Sequence, residues 1–409
     1  MKKFYELARL ERVKELLNSK QITHDLADRL VDAANLTDQE LEIFTENSIN
    51  QFHIPIGLVH GLKVNGESYE IPIATYEPSV VAALNKATHF VNEDKGIVVT
   101  GTKLPTTGQI FVTYQGEAEA IKSDIISKKD LLIAKGNEAV SHLIKRGGGI
   151  KQLTFDFEQE IMICTVQVDT KEAMGANLVD TIVEKIAPLV AKIINGDVIS
   201  AILSNLPIGE PFKARANVPV SLIGIEAAEK LVQLSTISSF NEARSVTNNK
   251  GVMNGLIGAV IATGNDDRAV SSAMYSYHSK PLNRSFTNWI IKDQELIGEF
   301  VGYLPLGTVG GAISTHPDAK KCLSLLNVQD STELAHVLMA VGLASNFSAL
   351  YALVTDGIQK GHMRLQAKSI AKSVGVRDQD LSSVVDEMVK RKSFDTITVQ
   401  KILKERRDK

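Results

Sequence analysis

LAHVLMAVGLASNFSALYALV, residues 334–354, is the longest apolar-looking run in the 409-residue chain, and its reading separates two fold classes. A membrane span needs about 20 consecutive, predominantly apolar residues. Here His336, Ser345, Asn346 and Ser348 interrupt the run. The sequence therefore predicts a buried, small-residue-rich helix at the centre of a globular core, with no membrane crossing.

Beyond that helix, the tail after Gly361 is charged and breaks into short amphipathic pieces at 367–374, 381–390 and 398–404. Gly357 and Gly361 flank its start, where a C-cap is the ordinary role and a hinge the functional one. Upstream, a helix is expected near 224–234, followed by the stretch 249–263. Residues 96–205 alternate on their own, with strands at 97–100, 109–114, 152–157, 161–168 and 198–203 and helices at 137–145 and 176–195. That pattern reads as a compact α+β unit inserted into a larger one. The first fifty residues are a helical lead-in, with Thr37 ahead of Asp38, Gln39 and Glu40 as a helix start. Two β-like runs, 54–58 and 69–73, flank the turn signal Asn65-Gly66 and predict a hairpin. It leads to Glu77-Pro78-Ser79, where Pro78 suits a first helical position because its missing N–H would be unpaired there.

Single cores stop growing near roughly 250–300 residues, so the chain is expected to hold two or three domains. Lys+Arg 45 against Asp+Glu 48 gives a net charge of −3, which points to neither a nucleic acid nor an anionic membrane as partner. The opening residues lack an apolar signal core, so the protein is expected to begin at Met1 without a secretory leader. Cys164 and Cys322 are too few for a disulfide framework or a cysteine zinc site, and both read as core residues of a cytoplasmic protein.

Walker A, His-Glu-x-x-His, Gly-x-Ser-x-Gly and Gly-x-Gly-x-x-Gly patterns are absent. Gly147-Gly148-Gly149 and Gly310-Gly311 read as tight turns. What remains is a set of polar residues in unusual settings: Lys250 among amides and glycines in residues 247–255, Asp266 in Gly264-Asn265-Asp266-Asp267-Arg268, and His362 in Gly361-His362-Met363. Taken singly, each has an ordinary structural explanation, such as a helix N-cap for Asp266.

Together they resemble one family. Glu77-Pro78-Ser79, Asn249-Lys250-Gly251-Val252-Met253-Asn254-Gly255, Gly264-Asn265-Asp266 and Gly361-His362-Met363 stand in the order and near the spacing of class II 3-hydroxy-3-methylglutaryl-CoA reductases. Ala173-Met174-Gly175-Ala176-Asn177 resembles that family's nucleotide motif, and Ile202-Leu203-Ser204-Asn205 and Thr315-His316-Pro317 are further likenesses. The resemblance implies an α/β and α+β multidomain fold: a large mixed domain with a long central helix (1–103 and 207–358), an inserted, non-Rossmann, ferredoxin-like dinucleotide domain (104–206) and a helical C-terminal flap (359–409). It also implies reduction of hydroxymethylglutaryl-CoA to mevalonate and CoA by two hydride transfers, through a hemithioacetal and an aldehyde. The homo-oligomer would be built from dimers, with active sites at the dimer interface.

By the same resemblance, Lys250 stabilises the charge growing on the carbonyl oxygen, with Asn205 orienting it. Glu77 supplies the proton, held protonated by burial and by Asp266, which couples the group. His362, carried on the flap, protonates the departing thiolate. Arg244 is a partner for a substrate carboxylate or CoA, and Ser79 and Asn254 are substrate contacts. Met174, Gly175 and Asn177 meet the cofactor, with no metal. Members that choose NADH carry an acidic residue seven positions before the triple glycine; Val140 stands there, near Lys145 and Arg146, which favours NADPH over NADH. The chain departs from common family patterns at Tyr76, Glu172, Asn248 and Asp267 without losing any of the four chemical groups. A CoA-thioester hydrolase and a silent nucleotide-binding protein are the competing readings.

Overall fold

The apolar run lies in the helix Ser331–Val354, and its residues from Val337 through Ser348 are buried without a break. Its length and apolarity would suit a bilayer, but protein surrounds it. The computed structural model describes residues 4, 7, 9–31, 36–278, 284–355 and 367–407. Each polar interruption of the run has a partner, as buried polar groups require. Ser345 Oγ donates to Gly251 O at 2.7 Å, Ser348 Oγ to Ala83 O at 2.8 Å, and His336 Nε2 lies 2.9 Å from Gly101 O. Asn346 holds the indole of Trp289 and the side chain of Asn248.

Three further helices, Pro78–Val91, Ile225–Phe240 and Glu242–Ala262, pack on this one. Behind them lies an antiparallel sheet in the order β3 (Val98–Thr100), β8 (Phe212–Pro219), β10 (Glu295–Gly302), β9 (Thr287–Lys292). A separate hairpin, β1 (Ile56–Val64) and β2 (Glu67–Ala74), turns at Asn65 and Gly66, both with positive φ (52° and 96°), as a two-residue type I′ turn demands. All these elements share one hydrophobic core.

The second core belongs to residues between β3 and β8. There β4 (Thr106–Thr113), β5 (Gly149–Glu158), β6 (Ile161–Asp169) and β7 (Val198–Ser204) form an antiparallel sheet in the order β5-β6-β4-β7, covered by the helix Ala176–Ile194. Because β3 and β8 are paired neighbours, the chain leaves and re-enters the first sheet at one place. Residues 367–407 carry a third small cluster, centred on Val384, Val385 and Met388.

Several expectations needed correction. Residues 249–263 are not a segment of their own: one helix runs Glu242–Ala262, through the amides and glycines. The glycines serve close packing. A Cβ on Gly258 would lie 2.5 Å from Ile73 Cγ2, and one on Gly255 3.0 Å from Ser345 Cβ. The helix expected at 137–145 is broken, into Lys129–Glu138 and Ser141–Lys145, and Ala118–Ser127 precedes them. The helix near 224–234 extends to Phe240, and the helix Asp267–His278 was not foreseen. Thr37 caps the helix Asp38–Phe44 in a reciprocal capping box with Glu40. Both cysteines are buried, and burial pushes each thiol up to about 12.

Candidate active site

Glu77 is the N-cap residue of the helix Pro78–Val91, at the end of β2, and its side chain caps nothing. It is exposed, and its Oε1 accepts a hydrogen bond from Ser79 Oγ at 3.0 Å. The single chain does not bury it. Tyr76 beside it is exposed and meets Phe52 edge-on.

Lys250 projects from the middle of the Glu242–Ala262 helix, exposed, and Nζ donates to Asn254 Oδ1 one turn on at 3.3 Å. The residues before it anchor that helix. Asn248 Nδ2 donates to Ser285 Oγ and Thr287 Oγ1, while Asn248 Oδ1 accepts from Asn346 Nδ2 at 2.9 Å. Asn249 bridges Arg284 O and Phe286 N. Thus Asn248, one of the departures from the family pattern, is a buried amide that ties helix to sheet. Arg244, in the first turn, has a buried Nε with no hydrogen-bond partner among the described residues, and desolvation lowers its pKa. A buried guanidinium nitrogen without a partner is suited to receive an anionic ligand.

Asp266 follows the far end of the same helix. Gly264, at φ +70°, reverses the chain, and Asp266 Oδ1 then accepts from the N–H groups of Arg268 and Ala269, both at 3.0 Å. It is the side-chain cap of the helix Asp267–His278, and the Arg268 Nε lies 3.6 Å away. Ala262 stands twelve residues along the helix from Lys250, about 18 Å of rise. Among the described residues no hydrogen bond or ion pair joins Lys250 to Asp266 or to Glu77. Ala74, three residues before Glu77, packs on Ala262, so Glu77 follows a strand that ends at the Asp266 end of the helix. Within one chain the two carboxylates and the lysine are therefore separated. His362 lies outside the described residues.

Beside Asp266 begins the nucleotide-motif region. Asn265 Oδ1 accepts from Gly307 N at 2.8 Å, and Gly307 is so close to residues 172–174 that a Cβ there would sit 2.5 Å from Met174 N. Gly175 takes φ +101° as N-cap of the helix Ala176–Ile194, without a side-chain cap. A Cβ on Gly175 would meet Thr170 Cγ2 at 2.2 Å, so both conformation and space require glycine. An uncapped N-terminus of a 19-residue helix offers free N–H groups to an anion. Met174 and Asn205 line a small pocket between the two cores, with Lys103, Thr107 and Tyr303. Asn205 thus faces the nucleotide motif. Asn177 is exposed in the first helical turn; Lys145 and Arg146 are exposed about the triple-glycine turn. Val140 is buried in the second core, so its side chain is not offered to a ligand.

Sequence reasoning missed Lys103, whose setting in Thr102-Lys103-Leu104-Pro105 reads as a linker. Its Nζ donates to the carbonyls of Lys171 and Ala173. Glu172, a departure from the common motif, accepts from Ser331 N at 2.6 Å and from Thr308 Oγ1 at 3.3 Å, tying the motif to the start of the central helix. Neither has a one-dimensional signature.

The fold is that of the class II 3-hydroxy-3-methylglutaryl-coenzyme A reductases. A solved Streptococcus pneumoniae reductase superposes with a TM-score of 0.83 at 30% identity, covering 98% of each chain. A class II enzyme from the same organism, bound to NADPH in open conformations, gives 0.82 at 30% identity over 86% of this chain and 99% of that one. The chain belongs to the hydroxymethylglutaryl-coenzyme A reductase family, whose sequence model matches residues 7–367. The 3-hydroxy-3-methylglutaryl-coenzyme A reductase of Archaeoglobus fulgidus is 36% identical over 95% of this chain and 88% of its own length. A probable reductase from Borreliella burgdorferi is 35% identical over 90% and 87%.

Proposed function

We propose that the protein reduces 3-hydroxy-3-methylglutaryl-CoA to mevalonate and free CoA with NADPH, at a site shared between two copies. The observation that carries the shared site is the helix Glu242–Ala262, which holds Lys250 about 18 Å from the Asp266 end. Coupled carboxylate and lysine chemistry needs these groups within a few ångströms. A two-fold partner supplies the missing half: Glu77 and Asp266 of one copy meet Lys250 of the other.

In that arrangement the Lys250 ammonium faces the thioester oxygen and stabilises the charge that builds there. Asn254, already bonded to Lys250, holds its amine on that side. Glu77 passes a proton to the oxygen, steadied by Ser79, and closure of the partner buries it as the chemistry requires. Arg244 takes the substrate carboxylate or a CoA phosphate on its unpartnered nitrogen. His362 protonates the departing thiolate, on a flap (359–409) whose separate small core supports an independently moving unit. Each bound dinucleotide would supply one hydride, so the two reductions would use two in turn. Met174, Gly175 and Asn177 hold it on the helix N-terminus of the inserted domain (104–206), beside Asp266, while Lys145 and Arg146 suit a 2′-phosphate and hence NADPH over NADH. The large domain (1–103 and 207–358) holds the substrate. Two buried free thiols suit a cytoplasmic enzyme.

The test is loss of nicotinamide absorbance with hydroxymethylglutaryl-CoA, followed beside thiol release. Two NADPH oxidised for each CoA freed are expected. Thiol release without oxidation would replace this reading with a thioester hydrolase.

A further inference from the structure

The residues just before the helix Ala176–Ile194 have every main-chain acceptor occupied. Lys103 Nζ binds Lys171 O and Ala173 O. Thr308 N donates to Glu172 O at 2.8 Å, Thr170 Oγ1 to Ala173 O at 2.8 Å, and Thr106 Oγ1 to Met174 O at 2.8 Å. Gly175 O accepts the helical bond from Val179 N at 3.0 Å. Five consecutive carbonyls are thereby turned into protein, while the helix that follows starts without a side-chain cap. The main chain of the loop shows a ligand donors only. A negative ligand would be repelled by any carbonyl released toward it, so the pinning of acceptors matters as much as the free donors.

Of these pinning groups, only Lys103 carries a charge, and it serves two carbonyls at once. It stands between β3 and β4, on the chain that enters the second sheet, and it also lines the pocket with Met174 and Asn205. Burial lowers its amine to about 8, against the opposing pull of Glu172 and Asp169. A cation held there at such cost is retained for the bonds it makes.

We propose that Lys103 is a positioning residue for the dinucleotide: by holding the carbonyls of Lys171 and Ala173 inward, it keeps the 174–177 loop an all-donor surface. This rests on the reading of Met174, Gly175 and Asn177 as the cofactor contacts. Lys103 does not touch the reacting atoms, so its loss acts on cofactor affinity before turnover.

The experiment compares Lys103→Met, Lys103→Gln, Lys103→Arg and Gly175→Val in the full chain, by steady-state kinetics and by calorimetric titration with NADPH alone. The expected result for Lys103→Met is a rise of about 10-fold in KM and Kd for NADPH, the worth of one charge-assisted bond, with KM for hydroxymethylglutaryl-CoA unchanged within about two-fold. Lys103→Arg, which keeps a cation with several donors, should recover most of the loss, with Lys103→Gln in between. A Lys103→Met enzyme with unaltered NADPH affinity overturns the proposal, as does an equal rise in both KM values. Should Lys103→Met fail to fold, Lys103→Gln against Lys103→Arg decides on the same criteria. If Gly175→Val leaves NADPH binding intact, the cofactor-loop reading itself fails and takes the proposal with it. If Gly175→Val weakens binding and Lys103→Met does not, only the role of Lys103 falls.

Discussion

Replacing Asn346 by alanine should cost about 3–5 kcal/mol of stability, and the structure shows where that comes from. Asn346 Oδ1 accepts from Trp289 Nε1 at 2.8 Å and from Thr287 Oγ1 at 3.0 Å, and Nδ2 donates to Asn248 Oδ1 at 2.9 Å. Asn346, Trp289 and Asn248 are each 1% exposed, so water cannot replace what the amide supplies. Truncation strands an indole N–H and an amide oxygen, each costing ~1–3 kcal/mol, and deprives the Thr287 hydroxyl of its acceptor. Trp289 is the only tryptophan in the chain, so its fluorescence reads both unfolding in urea and the loss of its own hydrogen bond. Protein concentration is held fixed, because the proposed dimer would add to apparent stability. Since Asn248 also binds Asn346, the double variant with Asn248→Ala should show a coupling of at least ~1 kcal/mol. A loss below ~1 kcal/mol, or additive variants, would refute the claim that this network locks the lysine-bearing helix to the sheet.

Lys250→Met should lower kcat by ~10²–10³-fold with an unchanged thermal midpoint, because the exposed amine contributes little to packing; full activity in the steady-state assay would remove Lys250 from the mechanism. Gly307→Ala places a Cβ 2.5 Å from Met174 N and 2.8 Å from Glu172 O, both backbone, so a rise in KM for NADPH is expected beside a loss of ~1–3 kcal/mol in urea titration. His60 Nδ1 lies within 2.9 Å of the buried Glu70 carboxylate, and that bond raises the imidazole pKa. A raised folded pKa gives stability that is full below about pH 6.5 and fades as pH climbs through the folded value. Glu70→Gln should flatten that decline in the thermal midpoint between pH 6 and 8.

The central helix was legible because a long apolar run of small residues has few fates, and its polar interruptions only gained partners in three dimensions. The hairpin was legible from Asn65-Gly66, whose positive φ values few other pairs accept. The lysine-bearing helix was not: glycines at 251, 255 and 258 lower helix propensity, and only the neighbours Ile73, Leu84 and Ser345 show why glycine stands at 255 and 258. Lys250 and Asp266 are sixteen residues apart, which reads as proximity until a helix stretches the interval. Glu77 carries no sequence mark of its exposure in a single chain. Val140 was read by its distance from the triple glycine, whereas its burial is set by strands and helices far along the chain. Lys103 and Glu172 act on backbone groups remote in sequence, and backbone partners leave no pattern to read.

Subunit complementation tests the shared site most directly. Lys250→Met and Asp266→Asn chains, each inactive alone, are mixed and allowed to exchange. If Lys250 of one copy works with Asp266 of the other, each mixed dimer keeps one site with both groups intact, and random exchange restores about a quarter of the wild-type NADPH oxidation. If both groups act from the same chain, every site in every dimer lacks one of them, and mixing restores nothing.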